Sequence, residues 1–210
     1  MVNKKTTENQ DAEALILQAA REVFVHKGYD GARMQEIADE AGINKALLHY
    51  HFRSKEKLFD KIFLEAFNNF WPSIQTELQQ GNGSVKSLIK AAVNAYTDML
   101  MQMPYLPAFV IGEINRSPDR IEELMLATGI NPELIIKVIE NGIESGEIIP
   151  IEPRSLVINI VGLSLFPFIS RPLLSRMFFK SDEEFMTFLE NRRINLYEFI
   201  CRSVLTEYQA

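Results

Sequence analysis

The chain has 210 residues, 47% of them hydrophobic and 24% charged, and a formal net charge of −6. That length can bury a sizeable core in one or two domains. The lone Cys201 rules out an internal disulfide and a thiolate metal cluster, and no run approaches the roughly eighteen uninterrupted apolar residues of a membrane span. The opening M-V-N-K-K-T-T-E-N-Q is polar and lacks the apolar stretch of a signal peptide, so a frayed start and a cytoplasmic location are expected. From Asp11 to Lys27, Ala12, Leu15, Ile16, Ala19, Ala20, Val23 and Phe24 recur at steps of three and four. This spacing predicts an amphipathic helix, closed by Gly28.

Ala32 to Lys57 reads A-R-M-Q-E-I-A-D-E-A-G-I-N-K-A-L-L-H-Y-H-F-R-S-K-E-K. Met34, Ile37, Ala38 and Ala41 share one helical face, and Gly42 stops that helix. Asn44 is placed to cap a second short helix carrying Leu47, Leu48 and Phe52. A small residue at a close helix crossing, then glycine, then Ile43 meets the steric needs of a helix-turn-helix. Lys45, His49, Tyr50 and His51 supply donors and aromatic amphipaths on the second helix. From Ala41 to Lys57 the cations Lys45, Arg53, Lys55 and Lys57 face one anion, Glu56, so the local charge is 4 − 1 = +3 on a chain of −6. A positive spot on an acidic protein suits a polyanion such as the DNA backbone. Charge alone favours an ordinary solvated hairpin; the turn chemistry and the aromatic–basic mixture favour DNA.

Three motifs here resemble the DNA-binding domain of the TetR family of transcriptional regulators: I-A-D-E-A-G-I-N-K at Ile37–Lys45, L-H-Y-H-F at Leu48–Phe52, and S-K-E-K-L-F at Ser54–Phe59. The resemblance covers about Asp11 to Phe70; the rest of the chain is similar to the family only in layout. It departs at Ala32 and Arg33, where the family usually has a Thr or Ser pair, and at Ala46, Leu47 and His49, so a different base preference is expected. The resemblance implies a ligand-responsive regulator, most often a repressor, that binds a near-palindromic duplex DNA site as a homodimer. Lys45, Ala46, Leu47, His49 and Tyr50 are then expected near base edges, and Arg33, Gln35, Asn44, His51 and Lys55 on phosphate or the groove rim. For His51, an inward-turned packing role competes with that one. A helical enzyme finds little support, because no metal-ligand pair, nucleophile motif or phosphate loop appears; no cofactor or metal is expected. A helical adaptor that binds protein and not DNA is the remaining alternative.

Ser54 is placed to cap a long helix over about 55–79, with a bend expected at Trp71-Pro72. The run Gln80 to Ser84 breaks the chain, and a helix follows through Met103. Further helices are predicted from Pro104 through Ile114, then over about 118–127, 132–145, 153–170 and 182–207, the last opened by a Ser181/Glu184 capping box. No alternating pattern or hairpin signal announces a sheet. The expectation is therefore all-α: a three-helix DNA-binding domain over 1–54 and a larger helical ligand-binding and dimerisation domain over 55–210, linked by the helix over 55–79.

Two further sets are singled out. Phe63, Phe67, Trp71, Tyr96, Met99, Met103, Phe109, Glu113 and Phe166 are candidates to line a site for a small, largely apolar effector, although plain core is the competing reading. Glu113 and Arg116 are expected to answer each other or a charged ligand. The helix over 153–170 is apolar nearly all round, which one face of a monomer does not require. Val157, Ile160, Val161, Ser164, Phe168, Phe188, Arg192, Leu196 and Phe199 are therefore assigned to a two-fold four-helix interface, the arrangement the resemblance also implies.

Overall fold

Helices make up almost every regular element in the computed structural model, which describes residues 2–68, 70–80 and 83–209, with only the backbone of residues 2–10 and Phe109. Helix α1 (Val2–Gly31) starts well before the expected Asp11 and is broken at Gly28, whose φ of 68° ends one helix before a last turn resumes. The opening residues extend a helix that is already anchored, and adding a residue to an existing helix is far easier than nucleating one. Helix α2 (Met34–Glu40) and helix α3 (Lys45–His51) follow, joined through Gly42 at φ 66°. Only a residue that tolerates that left-handed conformation permits so tight a reversal.

The long helix expected over 55–79 is two helices, α4 (Lys55–Phe67) and α5 (Phe70–Gln80). The break falls at Asn68, before the expected bend at Trp71-Pro72. Pro72 lies in the first turn of α5, where its missing N–H costs no helical hydrogen bond. Asn69, and Gly81 and Asn82 of the expected break, lie outside the described residues. Next come α6 (Val85–Gln102), α7 (Leu106–Arg116), α8 (Pro118–Ala127) and α9 (Pro132–Glu144). The chain closes with α10 (Pro153–Ile169), α11 (Arg171–Phe178) and α12 (Asp182–Val204). Helix α11 had no counterpart among the sequence expectations. Asn131 accepts from the Leu134 amide at 3.1 Å and Ser181 from the Glu184 amide at 3.2 Å. The Glu184 carboxylate reaches the Lys180 amide and not the Ser181 amide of the expected capping box. Among the described residues there is no strand, only a bridge between Ile148 and Leu205. No single helix is long and apolar enough to cross a membrane.

The chain forms two compact units, Met1–Ala66 with Met103–Leu124, and Phe67–Gln102 with Met125–Ala210. Packing does not divide the chain at residues 54 and 55: it assigns most of α4 and all of α7 to the first unit. That unit is centred on Phe24, whose ring lies 5.7 Å from Tyr29, 5.7 Å from Phe59 and 5.9 Å from Tyr105. Ile16, Ile37, Leu48, Leu58, Ile62 and Phe63 are buried in it.

The second unit is built on α6, which touches α5, α9, α10 and α12. Glu147 holds the start of α6, its two carboxylate oxygens accepting from the amides of Val85 at 3.0 Å and Lys86 at 2.9 Å. A carboxylate satisfying two orphan donors at a helix N-terminus also answers the helix dipole. Helices α6 and α9 approach so closely at Gly142 that a β-carbon there would lie 2.3 Å from a methyl of Val85. Gly142→Ala is therefore expected to destabilise the protein by about 1–3 kcal/mol, the usual cost of overpacking. Urea unfolding followed by circular dichroism measures it, and an unchanged midpoint would contradict the packing described.

Candidate nucleic-acid interface and apolar cavity

In the first unit, short-range capping presents α3. The Asn44 side chain accepts from the Leu47 amide at 2.8 Å, and the Ile43 amide returns to the Ala38 carbonyl at 3.0 Å. Leu48 is fully buried and fixes the inner side of α3. Lys45, Ala46, Leu47, His49 and Tyr50 are consequently exposed, Tyr50 at 74%. They form one surface of a cation, an imidazole, a phenol and two small or branched apolar groups. Such a set can donate to base edges or touch thymine methyls. His51 is half-buried with its Nε2 buried, and its ring meets Tyr50 edge-on at 5.4 Å. The inward role is the one the structure gives it.

Arg33 and Gln35 are exposed at the start of α2. The Arg33 amide donates to Glu36 at 3.2 Å, and Lys27 donates to the other oxygen of that carboxylate at 2.9 Å. The Lys27 hydrogen bond, with the Arg33 amide assisting, holds the Glu36 carboxyl below its ordinary range. Gln35 donates to Asp39 at 2.8 Å.

Lys55 departs from its expected role. Its ammonium donates to the carbonyls of Tyr29 at 2.7 Å and Ala32 at 3.1 Å and lies 4.3 Å from the centre of the Tyr29 ring. A group committed to two carbonyls and an aromatic face is not poised for phosphate. Burial and the neighbouring Glu56 charge push the Tyr29 phenol well above its ordinary value. Arg53 and Lys57 remain exposed beside α3 and can serve phosphate, Lys57 with only a 3.4 Å contact to Asp60. Sequence order alone does not tell which cation of Arg53, Lys55 and Lys57 turns inward.

Glu113, assigned to the effector site, belongs to the first unit and is 3% exposed. Arg116 holds it at 2.7 Å, and Arg120 bonds both Glu113 and Asp60. It is the centre of an ion network on α4, α7 and α8. Phe63 and Met103 are likewise buried in the first unit.

The second unit encloses a cavity of about 400 Å³ among α4, α5, α6, α8, α9 and α10. Of the residues assigned to it, Phe67, Trp71 and Tyr96 line it. Met99 is buried outside its lining, Phe166 is 59% exposed on α10, and the Phe109 side chain lies outside the described residues. The sequence expectation missed other wall residues, among them Met125, Ile135, Ile136, Ile158 and Arg154. Val157, Ile160 and Val161, assigned to a dimer interface, are wall residues too. One side of α10 faces this cavity, while Phe166 and Ile169 on the same helix are exposed.

Other interface assignments also turn inward. Ser164, Phe168 and Leu196 are buried within the unit. Phe188 is half-buried beside Phe179 at 5.0 Å. Arg192 donates to the Leu163 carbonyl at 3.1 Å, and burial lowers its pKa. Phe199 is 62% exposed, and Ile158, Phe166 and Ile194 are exposed apolar side chains outside the interface assignment.

Residues 16–62 match the family model of bacterial regulatory proteins of the tetR family. The chain is 36% identical over 85 residues to the HTH-type transcriptional activator FasR of Mycolicibacterium smegmatis, an alignment spanning 40% of this chain and 38% of FasR. Its fold is similar to that of a linker-substituted mutant of HlyIIR, with a TM-score of 0.66, 21% identity, and coverage of 94% of this chain and 98% of that one. It is similar also to FadR of Bacillus subtilis, solved in complex with stearoyl-CoA, with a TM-score of 0.63, 18% identity, and coverage of 88% and 96%.

Lys45 at the start of α3 and Lys55 at the start of α4 should separate cleanly. Lys55→Met leaves two carbonyls and an aromatic face without their cation and is expected to cost about 2 kcal/mol, in the range of charged hydrogen bonds. Lys45→Ala on the open surface should stay within about 0.5 kcal/mol of the parent. Equal denaturation midpoints for the two variants would refute the inward assignment of Lys55.

Proposed function

From the premise that this chain carries the DNA-binding domain of the TetR family of bacterial regulators, we propose that it is a transcriptional regulator, acting as a repressor, whose hold on DNA a small and largely apolar effector releases. The observation that carries the reading is the outward surface of α3, where Lys45, Ala46, Leu47, His49 and Tyr50 stand clear of the protein beside exposed Arg53 and Lys57. The cavity supports the effector, having the size and apolar character of small-molecule sites. Duplex DNA, the effector and a second copy of the chain are the partners. Residues 1–54 read DNA and residues 55–210 bind effector and partner.

In the homodimer, exposed Phe199, Ile194 and Phe166 are covered by the second copy. Two copies of α3 then meet successive major grooves on one side of the duplex at about 34–36 Å spacing, which demands a near-palindromic site. Two helices carry the effector's signal along the chain. Helix α4 begins at Lys55, fastened to the end of α1, and ends at Phe67 on the cavity wall. Helix α8 holds Arg120, bonded to Asp60 and Glu113, and Met125 on the same wall. An effector shifts the reading helices only by its differential affinity for two settings of α4 and α8, typically about 1–3 kcal/mol.

Selection from random duplexes at moderate salt should enrich one near-palindromic sequence, whose affinity falls steeply as salt rises. Tyr50→Ala should weaken that site by about 1–3 kcal/mol while affecting random DNA much less. Enrichment of no sequence would end the DNA reading. Light scattering at micromolar concentration should give twice the 24.1 kDa of one chain, and Phe199→Glu should reduce it to one. A parent protein already at 24.1 kDa would refute the dimer.

A further inference from the structure

The cavity walls are apolar, but two polar groups stand among them. Arg154 is the only charged side chain among its described lining residues, and Tyr96 supplies a phenol. Arg154 sits in the first turn of α10, 80% exposed, and its single ion contact is with Glu152 at 3.5 Å. That neighbour is already engaged, because its other carboxylate oxygen accepts from the Ser155 amide at 2.6 Å and caps α10. A guanidinium has five N–H donors and cannot accept. Most of its donors are therefore open at the rim of the cavity. The Tyr96 ring meets Phe70 edge-on at 4.8 Å, while burial pushes the phenol up to about 12. No carboxylate lies among the described lining residues.

These walls have a sign. An ammonium entering them would find no anion and would meet Arg154 as a like charge. A neutral hydrocarbon would fill the apolar volume and gain nothing from the guanidinium at the rim. An oxyanion at one end of an aliphatic chain uses both characters: the chain covers Phe67, Trp71, Ile135 and Ile136, and the oxygens receive the open N–H donors of Arg154. We propose that the cavity takes a single-chain aliphatic carboxylate, with the carboxylate held by Arg154 and the tail among the apolar walls. The proposal rests on the effector reading given above and assigns the chemical class of that effector.

Trp71 lines the cavity and is the chain's one tryptophan, so its fluorescence reports occupancy. The test titrates the full chain with decanoate, decanol and decylamine below their micellar concentrations. Decanoate is expected to bind about tenfold more tightly than either, which corresponds to about 1.4 kcal/mol. A larger factor is not expected, since an exposed charge pair is screened by water and salt. Arg154→Met should abolish the preference, bringing decanoate to the affinity of decanol measured on the same variant. Decanol or decylamine binding as well as decanoate overturns the carboxylate and leaves an apolar effector standing. An Arg154→Met variant that still prefers decanoate overturns the role of the arginine. Failure of all three probes to bind overturns the effector reading along with the proposal.

Discussion

One ammonium group ties together the two ends of the segment that carries α3. Lys55 lies against the carbonyls of Tyr29 and Ala32, at the end of α1 where helix carbonyls lack intrahelical partners. A cation there also answers the negative end of the helix dipole. The segment between Ala32 and Lys55 is the whole of α2, the turn and α3, so this contact pins both of its ends together. Such a short excursion has little freedom once closed. Its internal geometry then needs only local devices: Gly42 at φ 66°, the Asn44 cap, and Leu48 directed inward.

The second constraint is the aromatic cluster beneath that segment. Phe24, Tyr29, Phe59 and Tyr105 come from α1, α4 and the turn before α7. Around them Glu113, Arg120 and Asp60 form a mostly buried ion network. A buried charge is tolerated only when paired and hydrogen-bonded, and Glu113 has two guanidinium partners. The first unit thus combines a greasy centre with an ionic seam that fixes α7 and α8 upon α4. The second unit has a different character: α6 at its centre and a void beside it. Close packing at Gly142 and an open volume near Tyr96 coexist in one unit, so the void is a property of the place and not of loose packing throughout.

The sequence made the first unit's helices and the motif legible because their signals are local. Gly42, Asn44 and Ser54 act within three or four residues, and each is found doing so. The same reading failed wherever direction mattered across helices. Lys55 looked like Arg53 and Lys57, and only the fold shows which of three neighbouring cations turns inward. Phe63 and Phe67 are one helical turn apart, yet one is core and the other is a cavity wall. Ile160 and Val161 read as surplus apolar surface because periodicity cannot distinguish a face turned to a void from one turned to a partner. Asn68 was overlooked as a helix break because Trp71-Pro72 three residues on carried the stronger signal; proline at a helix start is no break at all.

The chain passes between the two units three times, after Ala66, Gln102 and Leu124. The DNA-reading part is therefore not a detachable module. A fragment ending at Ala66 would retain α1 to α3 but forfeit Tyr105, Leu106 and Ile121 from its own interior, and Asp60 would face water without Arg120. Chimeras that join this reader to another sensor at that point would carry an unfinished core. A working graft has to bring α7 and the beginning of α8 along, so the first unit can be exchanged only through a discontinuous cut.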